Sequence, residues 1–481
     1  MTPPPLPSEV WNSLPIEARA LIEAMQFQAL AMQRQIDALQ DEVRTLKAQL
    51  QSNSRNSSKP PSADPIHLKR QPPNSPSGRK RGGQPGHQRA TRPLVPPEQL
   101  ADTITCKPTT CSGCGVGLDG SDPKPIRHQV AEVLPVRPEV IEYQLHRLTC
   151  PGCGVTTQGP LPQGVPSGSF GSRLRALLSL LTAEFRLAKR PVQRLVRDLL
   201  GLDISLGMVA KLERQTATVL EPVDEELAEA VRLDPWAHID ETPWRQANRR
   251  AWLWVARTDR ATHFRIGAHR DADTARAMLG DDPGKVVICD RFSAYGWVEK
   301  KQWCWAHLRR DFQAMIDRGD GGSAIGSRLL KLSDALFWGW HRVAEDELSW
   351  DDFLRWADPI RMRVREELGR GASCAGPRTA ATCRHLRSGE EHLWRFLAGD
   401  GVEPTNNPAE RALRHGVLWR KSSGGTASER GSRFVSRMLG VVETCRQRGR
   451  SVLDFLTSCF EASLRSQPVP SLIRPRTGSS E

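Results

Sequence analysis

Three short stretches of the chain each place one carboxylate where phosphodiester chemistry can use it. They are Trp236-Ala237-His238-Ile239-Asp240-Glu241-Thr242, Val286-Val287-Ile288-Cys289-Asp290 and Asn406-Asn407-Pro408-Ala409-Glu410-Arg411. Asp240 and Asp290 stand at the ends of apolar, strand-like runs, and Glu410 on the first turn of an expected helix. Three such acids can hold two Mg²⁺ or Mn²⁺ ions, because divalent ions roughly 3.5–4 Å apart need shared carboxylates to offset their repulsion. One ion would activate water or a 3′-hydroxyl, and the other would stabilise the leaving oxygen of an in-line displacement. Each acid also has a plainer reading. A lone acid at a strand end is commonly just solvated. Glu410 can simply close a capping box, with Asn407 as N-cap and Pro408 at the first helical position.

The charge balance points to the polymer. Lys and Arg number 68 against 55 acids, a formal charge of +13 with a pI near 9.5. Cations and amides suited to DNA phosphates flank the three acids: Arg291, Arg309, Arg310, Asn406, Asn407, Arg411, Arg414, Arg420 and Lys421. Residues 411–450 carry ten Lys/Arg against two acids. Nucleic acid stands well ahead of a membrane as the partner, and no run of about 18 apolar residues exists to form a spanning helix. Met1-Thr2-Pro3-Pro4-Pro5 lacks the basic and apolar regions of a signal peptide. A cytoplasmic protein is expected, whose eleven cysteines stay reduced.

Four of those cysteines are spaced for a metal. Cys111-Ser112-Gly113-Cys114 is followed after 35 residues by Cys150-Pro151-Gly152-Cys153, and Gly115 and Gly154 follow each pair. Tight turns of this kind aim two thiolates at one tetrahedral ion, so structural Zn²⁺ on Cys111, Cys114, Cys150 and Cys153 is expected. The alternative is four buried free thiols. Ile141, Tyr143 and Leu145 alternate with polar residues and predict a strand, so the knuckles would cap a small hairpin, as in a zinc ribbon.

The remaining elements must position these groups. Ile22, Met25, Ala29, Met32, Ile36, Leu39, Val43, Leu46 and Leu50 alternate steps of three and four, the rhythm of a coiled coil or of a helix packed on its own domain. From Gln51 to Leu100 the chain has ten prolines and nine Lys/Arg against two acids. That stretch reads as a solvated linker or as a basic arm along DNA. Residues 172–220 predict helices, with Pro191 opening one, a break at Gly201–Ser205 and a second helix from Leu206. The pair fits a helix–turn–helix or an ordinary core. From Trp236 the pattern changes to strands at 238–240, 251–256, 263–266, 286–289 and 302–306, with helices at 274–279 and 308–316. This predicts an α/β core with a mixed sheet. Residues 317–400 are helical and rich in Trp, and read as an insertion whose Trp residues anchor packing.

Several strings are more specific than composition. They are Asn56-Ser57-Ser58-Lys59-Pro60-Pro61, Gly82-Gly83-Gln84-Pro85-Gly86-His87, the double CxxC, Asp240-Glu241-Thr242, Cys304-Trp305-Ala306-His307-Leu308-Arg309-Arg310 and the Asn406–Arg411 string. In this order, and over nearly the whole length, the chain resembles the large transposase of bacterial insertion sequence 66-type elements, a DDE transposase.

The resemblance implies a ribonuclease-H-like catalytic core with a helical insertion, and metal-binding acids at Asp240, Asp290 and Glu410. The 119 residues between Asp290 and Glu410 then hold the insertion. His307 would lie near the site, as packing or as a phosphate contact. The expected organisation is a coiled-coil helix at 1–50, a disordered linker at 51–100, a zinc finger at 101–168 and a helical DNA-binding region at 169–232. The core would occupy 233–316 and 401–465 around the insertion at 317–400, with a disordered tail at 466–481. The implied function is Mg²⁺-dependent cleavage at terminal inverted repeats and strand transfer into target DNA at the bacterial nucleoid. The partners are DNA, a second subunit or higher oligomer, and helper proteins of the same element. A non-catalytic zinc-finger regulator and a ribonuclease-H-like nuclease are the rival readings.

Overall fold

The computed structural model describes residues 8–51, 57, 93–399 and 401–473. Most of the Pro-rich basic stretch, with Ser58–Ser62 and Gly78–His87, lies outside them, as does the tail from residue 474. The chain divides into two units. One comprises Leu68–Gln158 with Gln193–Ser205, and the other the remaining residues.

The N-terminal helices are α1 (Ser8–Ser13) and α2 (Ile16–Gln51). Along α2 the expected apolar positions Met25, Met32, Ile36, Leu39 and Val43 face solvent, each about half exposed or more.

In the smaller unit the hairpin is β1 (Arg147–Thr149) and β2 (Thr156–Gln158), antiparallel with Thr149 opposite Thr156. The strand expected at 141–145 does not form there. Pairing begins at Arg147 because the knuckle Cys150–Gly154 itself makes the turn that brings β2 back. No residue from 93 to 158 is buried.

The larger unit holds α3 (Ser172–Ala183), then α4 (Lys189–Leu200), within which the division between the units falls, and α5 (Leu206–Val219) and α6 (Glu221–Leu233). Pro191 is the third residue of α4 rather than its first. The sheet follows: β3 (Trp236–Gln246), β4 (Arg249–Arg257), β5 (Thr262–Gly267), α7 (Ala272–Leu279), β6 (Val286–Cys289) and β7 (Lys300–Trp303). Its strand order is β5-β4-β3-β6-β7. The first three strands form an antiparallel meander, and β6 and β7 run parallel to β3. A turn at Ala247 and Asn248, both with left-handed φ, closes the β3–β4 hairpin.

Alternation along β6 assigns its residues to two cores. Val287 and Cys289 join a cluster with β3–β5 and with residues of helices on either side in sequence, among them Leu180, Leu227, Leu413 and Met438. Val286 and Ile288 join a second cluster built on α8 (Trp305–Arg318), α9 (Ser323–Ala344), α10 (Trp350–Ala372) and α11 (Pro377–Ser388). Residues 323–388 therefore pack as a helical layer on β6, β7 and α8. Trp340 and Trp350 pack around Phe353 and Phe396, and Trp394 is buried, whereas Trp338 and Trp356 stay 50% and 41% exposed. Trp305 and Ala306, expected in a strand, open α8 with Cys304 as N-cap.

The chain closes with α12 (Asn407–Ser423), α13 (Glu429–Gln447) and α14 (Val452–Leu464). Gly416 sets how closely α12 approaches β4, since a Cβ there would stand 2.2 Å from Leu253 Cδ2. Gly416→Val is expected to cost about 1–3 kcal/mol through overpacking, read as a lower denaturation midpoint at unchanged m-value. Among the described residues no helix is long and apolar enough to cross a membrane.

Candidate active site

The sheet register levels the two aspartates. His238 pairs with Ile288 across the parallel β3–β6 ladder, so two residues further on Asp240 stands level with Asp290. Both continue the same alternation and share a face of the sheet. Asp240 does not end its strand as expected. Its antiparallel partner β4 carries β3 on to Gln246, while β6 stops at Cys289. It is the end of the parallel neighbour that leaves Asp240 at an edge, the carboxyl-end position where open α/β sheets bind ligands.

Glu410 is brought to this edge across 119 intervening residues. Three backbone segments converge here. Cys304 N–H donates to Cys289 O at 2.9 Å, Trp305 N–H to Pro404 O at 2.9 Å, and Asn406 N–H to Cys304 Sγ at 3.1 Å. Asn406 then ties α12 to β3: its Nδ2 donates to Ile239 O at 2.7 Å, and its Oδ1 lies 3.0 Å from His238 Nδ1.

This arrangement overturns two expectations. The N-cap is Asn406 rather than Asn407, and Glu410 is the fourth helical residue rather than the third. The capping box is absent, because the Asn406 N–H goes to a sulfur and its side chain to β3. Glu410 Oε1 is buried without a hydrogen-bond partner. Asn406, expected at DNA, is itself buried, and its side chain is taken up in holding α12 to β3.

The electrostatics are those of crowded carboxylates. Burial, then Glu241, Glu410 and Asp290, push Asp240 well above the usual carboxylate range. Burial also raises Asp290, although the Phe292 N–H, Arg270, Arg291 and Arg310 oppose it. Glu410 is raised by burial and by Asp290 against Arg310, whose guanidinium stands 4.0 Å away. Glu241 is a fourth acid of the site. Its Oε1 accepts from Arg270 at 2.6 and 2.8 Å, and Tyr295 donates to its Oε2. Arg270 is stacked 3.7 Å over the Phe292 ring. Buried acids crowded together, presenting hard oxygen donors, fit a divalent ion of the Mg²⁺ or Mn²⁺ kind.

The cations expected on DNA divide into two groups. Arg291 pairs with Asp311, and Arg309 with Asp334 and Ser333, so both are engaged within the protein. Arg310 faces Glu410. Arg420 bonds Thr242 and Pro243 of β3. Asn407 is half-buried, whereas Arg411, Arg414 and Lys421 are exposed along α12. Arg245, Arg250 and Arg420 line a cavity of about 860 Å³ beside the β3–β4 turn.

Comparison with known proteins gives the family. Residues 167–433, more than half of the chain, match the family described as Transposase IS66 family. The chain belongs to the IS66 transposase family. Residues 108–154 match the zinc-finger binding domain of transposase IS66, and residues 3–93 a family of unknown function, DUF6444. Two relatives come from Sinorhizobium fredii. The uncharacterized protein y4qI is 25% identical over 81% of this chain and 75% of its own length. The uncharacterized protein y4hP is 26% identical over 70% and 68% respectively. In this transposase the family match spans Asp240, Asp290 and Glu410 together with the helical layer between them.

One feature of the site was not assigned from sequence. Among the described residues, a single set of three His, Cys, Asp or Glu side chains has its ligand atoms all within 4.8 Å of one another: Cys304, His307 and Glu410. The two aspartates lie outside that grouping. The Cys304-x-x-His307 spacing on the first turn of α8 was the available signal.

Each finger knuckle is formed in the same way. Cys111 N–H donates to Val116 O and Gly115 N–H to Cys111 O, and Cys150, Val155 and Gly154 repeat both bonds. Gly115 and Gly154 hold left-handed φ of 75° and 68°. The N–H groups of Gly113 and Cys114 lower the Cys111 thiol, and those of Cys153 and Gly152 lower Cys150, so each knuckle favours a thiolate. The four sulfurs are not drawn into one cluster.

Proposed function

We propose that this chain is a DDE transposase with a ribonuclease-H-like core, which binds the terminal inverted repeats of its element, hydrolyses one strand at each end and joins the freed 3′-hydroxyl to target DNA. The observation that carries this reading is the return of Glu410 to the edge where the register levels Asp240 with Asp290. A strand order of β5-β4-β3-β6-β7, antiparallel then parallel, supports the core assignment.

Asp240, Asp290 and Glu410 would hold two Mg²⁺ or Mn²⁺ ions. When bound, the ions supply Lewis-acid activation of the attacking oxygen and stabilise the leaving one. The chain's own groups do the rest. Arg270 and Tyr295 hold the Glu241 carboxylate in place beside the aspartates, and Asn406 fixes the angle at which α12 delivers Glu410. Arg411, Arg414 and Lys421 present a cationic rim for the DNA backbone. In the first step a P–O3′ bond breaks as water attacks. In the second the new 3′-oxygen attacks a target phosphorus and displaces another 3′-oxygen, so the number of phosphodiester bonds is conserved. Zn²⁺ on Cys111, Cys114, Cys150 and Cys153 would hold the finger. The exposed apolar stripe of α2 suits pairing with a second subunit, as a dimer or larger assembly. Helper proteins from the same element and a place at the nucleoid complete the proposal.

The test is a reaction of the protein with labelled element ends, target plasmid and Mg²⁺. Joined product is expected. Cleaved but unjoined ends would mark a nuclease, and bound but uncut ends a regulator.

The raised carboxylates also predict a linkage. Their folded pKa values lie above the unfolded range of about 4. Their neutral forms therefore add stability below that pH, and this is lost as pH rises through the folded values. Without a divalent ion the larger unit is expected to lose stability over that rise, and Mg²⁺ at a hundred times its dissociation constant to restore about 2.7 kcal/mol per ion. Melting curves with and without Mg²⁺ should diverge as pH increases. A Mg²⁺ effect independent of pH would contradict the assignment.

A further inference from the structure

We propose that Cys304, His307 and Glu410 form a second metal-donor set, selective for a soft divalent cation such as Zn²⁺, which shares Glu410 with the DDE acids. The three ligand atoms lie within 4.8 Å of one another, and His307 Nδ1 stands 3.5 Å from Glu410 Oε1. Zn²⁺ bonds of about 2.0–2.3 Å in a tetrahedron require donor separations of roughly 3.5 Å. The His307–Glu410 pair already stands at that separation, and Cys304 closes the set from within 4.8 Å.

Two further observations point to a ligand. His307 Nδ1 and Glu410 Oε1 are both buried and both lack a hydrogen-bond partner. A ring nitrogen and a carboxylate oxygen 3.5 Å apart, each without a partner, call for a proton or a cation between them. The third donor is fixed independently: the Asn406 N–H donates to Cys304 Sγ at 3.1 Å, which steadies a thiolate once a cation arrives.

Donor chemistry separates this set from the aspartates. A thiolate and an imidazole favour Zn²⁺ over Mg²⁺, whereas all-carboxylate sites favour Mg²⁺ or Mn²⁺. Three protein ligands leave a fourth position for water or a phosphate oxygen. On the reading that Glu410 serves strand cleavage, Zn²⁺ here withdraws it from Asp240 and Asp290. The set then acts as a brake on transposition that responds to available zinc.

Zinc content of the full chain tests the site apart from any DNA chemistry. After saturation with Zn²⁺ and removal of free metal, the parent is expected to carry about two ions per chain, one in the finger and one here. A Cys111→Ser/Cys150→Ser chain should retain one, and adding either Cys304→Ser or His307→Ala should remove it. With Co²⁺ in that finger-deficient chain, the same additions should abolish the thiolate-to-cobalt absorption. His307→Ala decides the matter if Cys304→Ser fails to fold. Unchanged zinc content and cobalt spectrum in His307→Ala would overturn the proposal. In the cleavage assay, Zn²⁺ at ten times its dissociation constant should slow the parent about tenfold, and the ratio with and without Zn²⁺ should return towards one in Cys304→Ser. A parent that never cleaves DNA would instead count against the transposase reading, with the zinc result still deciding this site.

Discussion

Asp240→Asn is expected to lower strand cleavage at element ends by about a thousandfold or more, while DNA binding and the fold are retained. The magnitude follows from losing one shared metal ligand, several kcal/mol of transition-state stabilisation at about 1.4 kcal/mol per tenfold. The variant should also carry an uncommon stability signature. Asp240 sits among Glu241, Glu410 and Asp290, and burial with these neighbours disfavours its charge. An amide of the same shape relieves that repulsion, so without metal the variant should melt no lower than the parent at neutral pH. Its response to Mg²⁺ should fall or vanish. Cleavage within tenfold of the parent would sink the assignment of Asp240. Loss of cleavage together with a lower melting temperature would mean that the residue supports the fold instead.

The parts of this site that sequence revealed are those governed by local rules. The strand-like run before Asp290, the CxxC turns and the helix after Pro408 each follow from nearest neighbours. Glu410 was legible through the Asn406–Arg411 string and the family likeness, since local chemistry alone offered a capping box that the structure does not contain. That alternative failed for a tertiary reason: the N-cap side chain is Asn406, and β3 claims it. Asp240 shows the same limit. Periodicity ended its strand early, because the run after it is polar, yet pairing with β4 extends β3 through Gln246. The strand expected at 141–145 alternated correctly and still did not pair, since no apolar layer faces it. The closeness of Cys304, His307 and Glu410 depends on a contact between residues more than a hundred positions apart, which spacing cannot supply.

Removing zinc from the finger is expected to unfold residues 101–158 while the unit carrying the sheet keeps its melting transition. This follows from what the finger lacks. No residue from 93 to 158 is buried, and Ile126, Val130, Val133, Leu134 and Val140 are at least 78% exposed. A three-residue hairpin and two knuckles cannot hold a segment of that length against its conformational entropy, about 1–2 kcal/mol per backbone residue. Structural zinc sites supply roughly 10–16 kcal/mol of apparent binding energy at neutral pH, and in small domains that energy is folding energy. The knuckles are prepared for it, because their N–H groups already favour thiolates at Cys111 and Cys150. Binding must then draw the two pairs together, so the finger's order should track metal occupancy. The measurement is limited proteolysis of the full chain with and without chelator. Cleavage within 101–158 should accelerate by orders of magnitude on chelation and in Cys150→Ser, and fall again when Zn²⁺ is restored to the parent. Equal protection with and without metal would show that the finger stands on contacts other than zinc.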